Sequence, residues 1–169
     1  IQAWFDAEFA DMLERAGRRD AAETRYRAAL QRDAGEPGLI AAYADFLLDD
    51  RRFDEAERLT APLLRIDALR LRNAIARTRL GQKPTHETAV LDAGFAAAHV
   101  RGEDVHLREE ARFALEIRRD AARALDLAQR NGNVQHEPSD ARLLIAAAEA
   151  AGRTQEARSA RDWLRASKL

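Results

Sequence analysis

Gly17-Arg18-Arg19-Asp20-Ala21-Ala22-Glu23-Thr24-Arg25-Tyr26-Arg27-Ala28-Ala29-Leu30 and Arg51-Arg52-Phe53-Asp54-Glu55-Ala56-Glu57-Arg58-Leu59-Thr60-Ala61-Pro62-Leu63-Leu64 align at one fixed offset. Ala22 and Ala56 are 34 residues apart, as are Leu30 and Leu64. Asp20-x-x-Glu23 and Asp54-x-x-Glu57 keep the same offset and read as capping boxes, in which the Asp accepts from an orphan N–H of the first turn and the Glu reaches back. Two helices are therefore predicted to start 34 residues apart, each preceded by another apolar-periodic segment. Further on, Ala124 lies 68 residues past Ala56, which is two periods, and Ala157 follows 33 later. Gly152 stands five residues before Ala157, as Gly17 does before Ala22.

Composition agrees with helices. Ala occurs 37 times and Leu 20 times, against 10 for Val and Ile together, so strong helix formers greatly outnumber β-branched residues. Arg at 26 against Lys at 2 points to GC-rich coding DNA. The net charge of −1 leaves no single-sign field to favour bulk polyanion binding. The absence of Cys excludes disulfides, thiol catalysis and Cys-type zinc sites. No apolar run approaches the roughly 18 residues of a membrane span. The first residue is Ile1 rather than Met, which reads as a processed chain or a piece of a longer one, any signal peptide being already gone.

A 34-residue helix–turn–helix period resembles the tetratricopeptide-repeat superfamily. The matching positions are the small residue early in the second helix (Ala22, Ala56, Ala124, Ala157), the residue four on (Tyr26, Thr60, Ala128) and the closing pairs Ala29-Leu30 and Leu63-Leu64. Only Ala or Gly lets two helix backbones approach closely at a crossing. The family's Trp near the start of the first helix is replaced by Asp6 and Ile40, and its proline after the second helix by Ala34. The resemblance implies an all-α, right-handed solenoid of about five antiparallel helix pairs, forming one repeat domain over 1–169.

The expected helices run near 2–16, 20–33, 38–49, 54–65, 67–80, 86–100, 105–118, 120–131, 140–151 and 154–167, giving hairpins at about 2–33, 38–65, 67–100, 105–131 and 140–167. Gly-Glu-Pro-Gly (35–38), Gly-Gln-Lys-Pro-Thr (81–85), Arg-Gly-Glu-Asp (101–104) and His-Glu-Pro-Ser (136–139) punctuate the pairs. Pro62 falls inside a helix and is expected to kink it. Helix 67–80 is apolar on two sides, one carrying Leu69, Ala76 and Leu80 and the other Leu71, Ala74, Ile75 and Thr78. Arg72 with Arg79, and Arg70 with Arg77, form the stripes between. Each hairpin is too small to bury its own apolar face, so the units must stack.

Catalytic chemistry has little to stand on. Glu103-x-x-His106 has the spacing of half a di-iron site but lacks its second half. In His106-Leu-Arg-Glu109-Glu110 a Glu stands where the inverted zinc motif needs its second His. There is no P-loop, dinucleotide turn or Gly-x-Ser-x-Gly elbow. The expectation is no catalytic residue, no cofactor and no metal. A nucleic-acid reading starts from the local +4 of residues 65–101, but the −5 over 1–64 repels a polyanion and aromatic interleaving is sparse.

An interaction module remains. In tetratricopeptide-like stacks the first helix of each hairpin lines a concave groove, and the resemblance implies a peptide or partner helix there. It points Trp4, Asp11 and Glu14 inward from the first repeat, Asp45, Leu48 and Asp49 from the second, Arg72 and Arg79 from the third, and Arg108, Arg112 and Glu116 from the fourth. The expected groove thus has an acidic wall (Asp11, Glu14, Asp45, Asp49) and a basic wall (Arg72, Arg79, Arg108, Arg112), available to a ligand unless they neutralise each other across repeat boundaries. The Lys/Asn clamp by which family members grip a C-terminal carboxylate is replaced by Ala7, Asp11, Ala41 and Asp45. Self-association is the alternative, through Trp4, Phe5 and Phe9 at one end and Trp163 and Leu164 at the other. The stretches from Arg101 to Phe113 and from Val134 to Leu144 are also similar to bacterial repeat proteins carrying export signals, which leans the expected compartment toward the periplasm.

Overall fold

The structure, a computed structural model, describes residues 2–103, 106–132 and 137–166, with side chains from Phe5 onward. Among the described residues there are ten α-helices and no strand. They are α1 (Gln2–Arg15), α2 (Arg19–Arg32), α3 (Pro37–Asp49), α4 (Phe53–Thr60), α5 (Asp67–Arg79), α6 (Thr85–Val100), α7 (Leu107–Phe113), α8 (Ala121–Gly132), α9 (Pro138–Ala150) and α10 (Arg158–Ala166). The expected helix ends at 105 and 167, the side chain of Trp4 and loop residue His136 lie outside the described residues. Two compact units meet within α6, one over Ile1–Leu91 and the other over Asp92–Leu169.

In the first unit α1 packs on α2 and α3, and α3 packs on α4 and α5. Its centre is Tyr26, whose ring centroid lies 5.4 Å from that of Tyr43 and 5.6 Å from that of Phe46. Leu39, Ile40, Leu47, Leu69 and Leu71 are buried in the same unit. In the second unit α8 packs on α7 and α9, burying Leu107, Ala111, Leu125, Ala128, Ala147 and Ala148. The four Ala residues at the repeat register, Ala22, Ala56, Ala124 and Ala157, are all 0% exposed. At that depth a Cβ methyl is all the neighbouring elements leave room for.

One backbone device recurs five residues before each of these alanines. Gly17 (φ 73), Arg51 (φ 59), Arg119 (φ 55) and Gly152 (φ 68) all adopt the left-handed conformation. At three of the four sites the paired hydrogen bonds of a Schellman end are present. They are Gly17 N to Glu14 O with Arg18 N to Leu13 O, Arg51 N to Leu48 O with Arg52 N to Leu47 O, and Gly152 N to Glu149 O with Arg153 N to Ala148 O. At Arg119 the preceding helix instead ends in a single π turn, Ala114–Arg118, and Asp120 N donates to Ala114 O. Two of the four sites are arginines, which carry the Cβ penalty that glycine avoids. Arg51→Gly and Arg119→Gly are each expected to raise stability by about 0.5–1 kcal/mol, after allowing for glycine's greater unfolded-state entropy. Urea midpoints of the two variants check this; a fall in either contradicts it.

The left-handed reversals also correct the expected capping boxes. Because each reversal leads directly into the next helix, α2 is entered at Arg18 and α4 at Arg52, and neither side chain caps. Asp20 and Asp54 lie inside the first turn instead, where a carboxylate favours the helix dipole without capping. A carboxylate reaches back at α9, where Asp140 Oδ2 accepts from the Glu137 N–H at 3.0 Å and Pro138 opens the helix.

Pro62 ends its helix rather than kinking it. α4 stops at Thr60 and Ala61–Leu63 form one 3₁₀ turn. A proline cannot supply an N–H to the carbonyl four residues back and its ring crowds that carbonyl. Buried Asn73 secures the shortened helix, its Nδ2 donating to Glu57 O and Thr60 Oγ1, both at 3.1 Å. The expected helix 154–167 likewise opens with a 3₁₀ turn, Thr154–Ala157, before α10.

Candidate functional site

The first helices of successive pairs lie side by side, α1 against α3 and α3 against α5 in the first unit, and α7 against α9 in the second. In α1, Asp11 pairs with Arg15, and Glu14 pairs with Arg19 at 3.0 Å. Burial pushes the Glu14 carboxyl up, Arg19 pulls it down, and the Asp49 and Asp11 carboxylates raise it again, leaving it above its ordinary value. Asp11 on α1 and Asp49 on α3 thus both act on Glu14. Asp49 on α3 and Arg79 on α5 are exposed.

Asp45 and Arg72 meet directly. Arg72 is buried, and its guanidinium joins α5 to α3 through Nη2 to Asp45 Oδ2 at 2.6 Å and Nε to Ala41 O at 3.2 Å, with Nη1 donating to Ala68 O within α5. One acid of the expected wall is therefore matched to one base of the other inside the first unit. Of the other stripe residues, Arg70 pairs with Asp67 and Arg77 with Glu87 at 3.1 Å. Leu48, expected to line the groove, is buried.

In the second unit Arg108 joins α7 to the start of α9, Nε to Asp140 Oδ1 and Nη2 to Glu137 Oε2, both at 2.6 Å. Buried Asp140 also accepts from Asn131 Nδ2 at 2.9 Å. Arg112 and Glu116 are half-buried on α7 and in the π turn that follows it.

Two buried carboxylates carry more than the sequence reading assigned to them. Asp6, at the register of buried Ile40, is 3% exposed and receives Arg25 Nε at 2.9 Å and Arg32 Nη2. The substitution of a charge at a core position was the legible signal. Glu110, which in the sequence stands only where a zinc motif fails, is buried and lies 2.9 Å from His99 Nε2 and 2.6 Å from Arg123 Nη2. Burial pushes its carboxyl up, but the hydrogen bonds from Arg123 and His99 outweigh that and hold it below its ordinary value. A depressed carboxylate stabilises the fold above its unfolded-state pKa and loses that contribution as pH falls through the folded one. Glu110→Gln is therefore expected to cost about 1 kcal/mol at pH 7, its partners being partly solvated. The gap to the parent protein should close below about pH 4. Urea midpoints across pH 3–7 test it, and a gap independent of pH contradicts it.

Among the described residues no group of three or more His, Asp or Glu side chains is placed to hold a metal ion, and no helix is long and apolar enough to cross a membrane.

Consecutive helices folded back through left-handed turns, with a buried alanine at each register position, define an α-helical repeat protein. The tetratricopeptide-repeat family model matches residues 13–78, from the last turn of α1 into α5, so this part of the chain is similar to tetratricopeptide repeats. No curated protein and no solved structure matches the chain.

Proposed function

We propose that the chain is a non-catalytic scaffold that holds a protein or peptide partner against its first helices, in the concave groove of a right-handed stack of five helix pairs. Tetratricopeptide repeats generally mediate protein–protein interaction, and the match over 13–78 supports that class of function. The observation that carries the groove reading is the packing of α1 against α3, with Asp11 and Glu14 on one and exposed Asp49 on the other. Carboxylates gathered on neighbouring helices are relieved by a ligand's positive charge, which sets orientation and specificity more than raw affinity. The basic wall is less available than its sequence suggests, since Arg72 serves Asp45, and Arg108 serves Asp140 and Glu137. Arg79 completes the proposed groove in the first unit, and Arg112 is proposed for the first helices of the second. Internal ion pairs at Arg70, Arg72, Arg77 and Arg101 also weigh against nucleic-acid binding through residues 65–101.

A positional-scanning peptide library tests the reading. A preference for Lys or Arg at fixed positions is expected, lost at least tenfold in Glu14→Gln/Asp49→Asn with little change in melting temperature. No positional preference, or affinity unchanged in the double variant, overturns it. Self-association is the second reading, favoured by the exposure of Phe9 and Met12 on α1 and Trp163 on α10. A sedimentation profile that shifts with protein concentration would favour it.

A further inference from the structure

Asn131 is followed by Gly132, whereas the other asparagines of the chain, Asn73 and Asn133, are followed by Ala74 and Val134. An asparagine before a glycine carries the most labile kind of side-chain amide, because a residue without a Cβ leaves its backbone nitrogen open to the preceding side chain. Asn131 and Gly132 close α8, and Asn131 is 6% exposed. Its Nδ2, the group that deamidation expels, donates to Asp140 Oδ1 at 2.9 Å. The same carboxylate receives Arg108 Nε at 2.6 Å and, through Oδ2, the Glu137 N–H at 3.0 Å. The labile amide is thus fastened to the joint that holds α7, the end of α8 and the start of α9 together.

The closed fold blocks the reaction without removing its ingredients. Ring closure needs the Asn131 backbone to leave the helical range so that Gly132 N can reach Cγ, and it needs the carboxamide released from Asp140. Both happen when the end of α8 opens, and glycine holds a helix end weakly. A base then takes the Gly132 N–H proton, the bond from that nitrogen to Cγ forms, and the Cγ–Nδ2 bond breaks. Nδ2 leaves as ammonia, carrying a proton from water, and a five-membered succinimide remains. Water next adds to one of the two ring carbonyl carbons. Addition at Cγ restores the backbone and leaves a side-chain carboxylate. Addition at the main-chain carbon leaves a backbone routed through Cβ and Cγ.

Either product undoes the joint. A side-chain carboxylate at position 131 would face Asp140 where an N–H now donates. Arg108 already serves Asp140 and Glu137, so one guanidinium would stand against three carboxylates. Two carboxylates that close cannot both ionise without cost. The rerouted backbone adds a methylene to the main chain at the end of α8. The modified unit therefore opens more readily than the one it came from, and no step of the reaction restores the amide.

We propose that Asn131-Gly132 is a self-modifying site of the second unit, which deamidates when the α8 end opens and by doing so makes the opening permanent. The inference rests on the Asn131–Asp140–Arg108 joint and is independent of the groove reading.

The full chain, kept at mildly alkaline pH in a series of urea concentrations below its unfolding midpoint, is compared by peptide mapping with an acetylated, amidated peptide of residues 125–138 in the same urea. Without urea the chain should deamidate at residue 131 at least tenfold more slowly than the peptide. Its rate should climb with urea toward the peptide's, since modification of an opened state follows the population of that state. Gly132→Ala adds a Cβ that meets nothing within 4 Å, so the fold accepts it. It should slow residue 131 at least tenfold in the peptide and in the urea-treated chain. Asn131→Asp, which supplies the first product directly, should lower the melting temperature by at least about 4 °C. A chain that deamidates as fast as the peptide without urea overturns the proposal, as does a rate indifferent to urea. Modification confined to Asn133, or Asn131→Asp as stable as the parent, also overturns it.

Discussion

Tyr26→Ala is expected to destabilise the first unit by about 3–5 kcal/mol, the largest single effect of any truncation in it. Tyr26 is 2% exposed and touches two other rings, stacked on Tyr43 and tilted against Phe46. Truncation removes the transfer energy of a full ring and leaves a cavity between α2 and α3. The buried alanines around it, Ala22, Ala29 and Ala44, have no longer side chain to move into that space. Ring–ring geometry adds about 0.5–1.5 kcal/mol beyond buried area. Burial also pushes the phenol far above its ordinary ionisation range, so the effect should not vary with pH across neutrality. Tyr26→Phe keeps the ring and should lose no more than about 1.5 kcal/mol. Urea unfolding followed by circular dichroism, with hydrogen exchange read over α2 and α3, measures both. A loss below about 1 kcal/mol for the alanine variant would show that the stack does not join these helices.

Asp140→Ala should cost about 2–4 kcal/mol in the second unit. Removing one member of a buried charge pair leaves the other uncompensated, at about 3–5 kcal/mol when both are fully buried. Arg108 keeps 28% side-chain exposure, which lowers the figure. The same substitution strands Asn131 Nδ2 and removes the acceptor of the Glu137 N–H, a helix-start contact of about 1 kcal/mol. Asp140→Asn keeps the shape and some acceptors and should recover part of the loss. The double change Arg108→Leu/Asp140→Leu separates pairing from burial: if it restores stability, the cost of Asp140→Ala lies in the orphaned arginine. Equal losses for Asp140→Ala and Asp140→Asn would show that the charge itself is what matters.

The helices were legible because the buried alanines carry the period. A position that accepts only a methyl repeats at a helix crossing whatever its neighbours become, and Ala22, Ala56, Ala124 and Ala157 kept the register through strongly divergent repeats. Helix starts were misread because Asp20 and Asp54 look like caps when the preceding turn is unknown. A left-handed residue is readable when it is Gly17 or Gly152 and silent when it is Arg51 or Arg119. The charge map was legible as a tally and not as a pattern of partners. Arg72 meets Asp45 across 27 residues and Arg108 meets Asp140 across 32, each a little less than one repeat. Periodicity places such pairs on adjacent helices, but only the rotation of each helix decides which acid and base touch.

The left-handed reversals also determine where the chain tolerates a change of length. Three residues separate α1 from α2, and three separate α3 from α4, with the reversal in the middle of each. One extra residue there would turn the following helix by about 100°. Ala22 or Ala56 would leave its crossing and a bulkier or charged neighbour would enter it, so the damage would spread along the whole helix instead of staying in the turn. The four residues 33–36 between α2 and α3 lie between separate pairs and carry no left-handed constraint. Insertions, tags and loop grafts therefore belong at 33–36, while the reversals behave as fixed-length joints whose residue identity can drift, from glycine to arginine, more easily than their residue count.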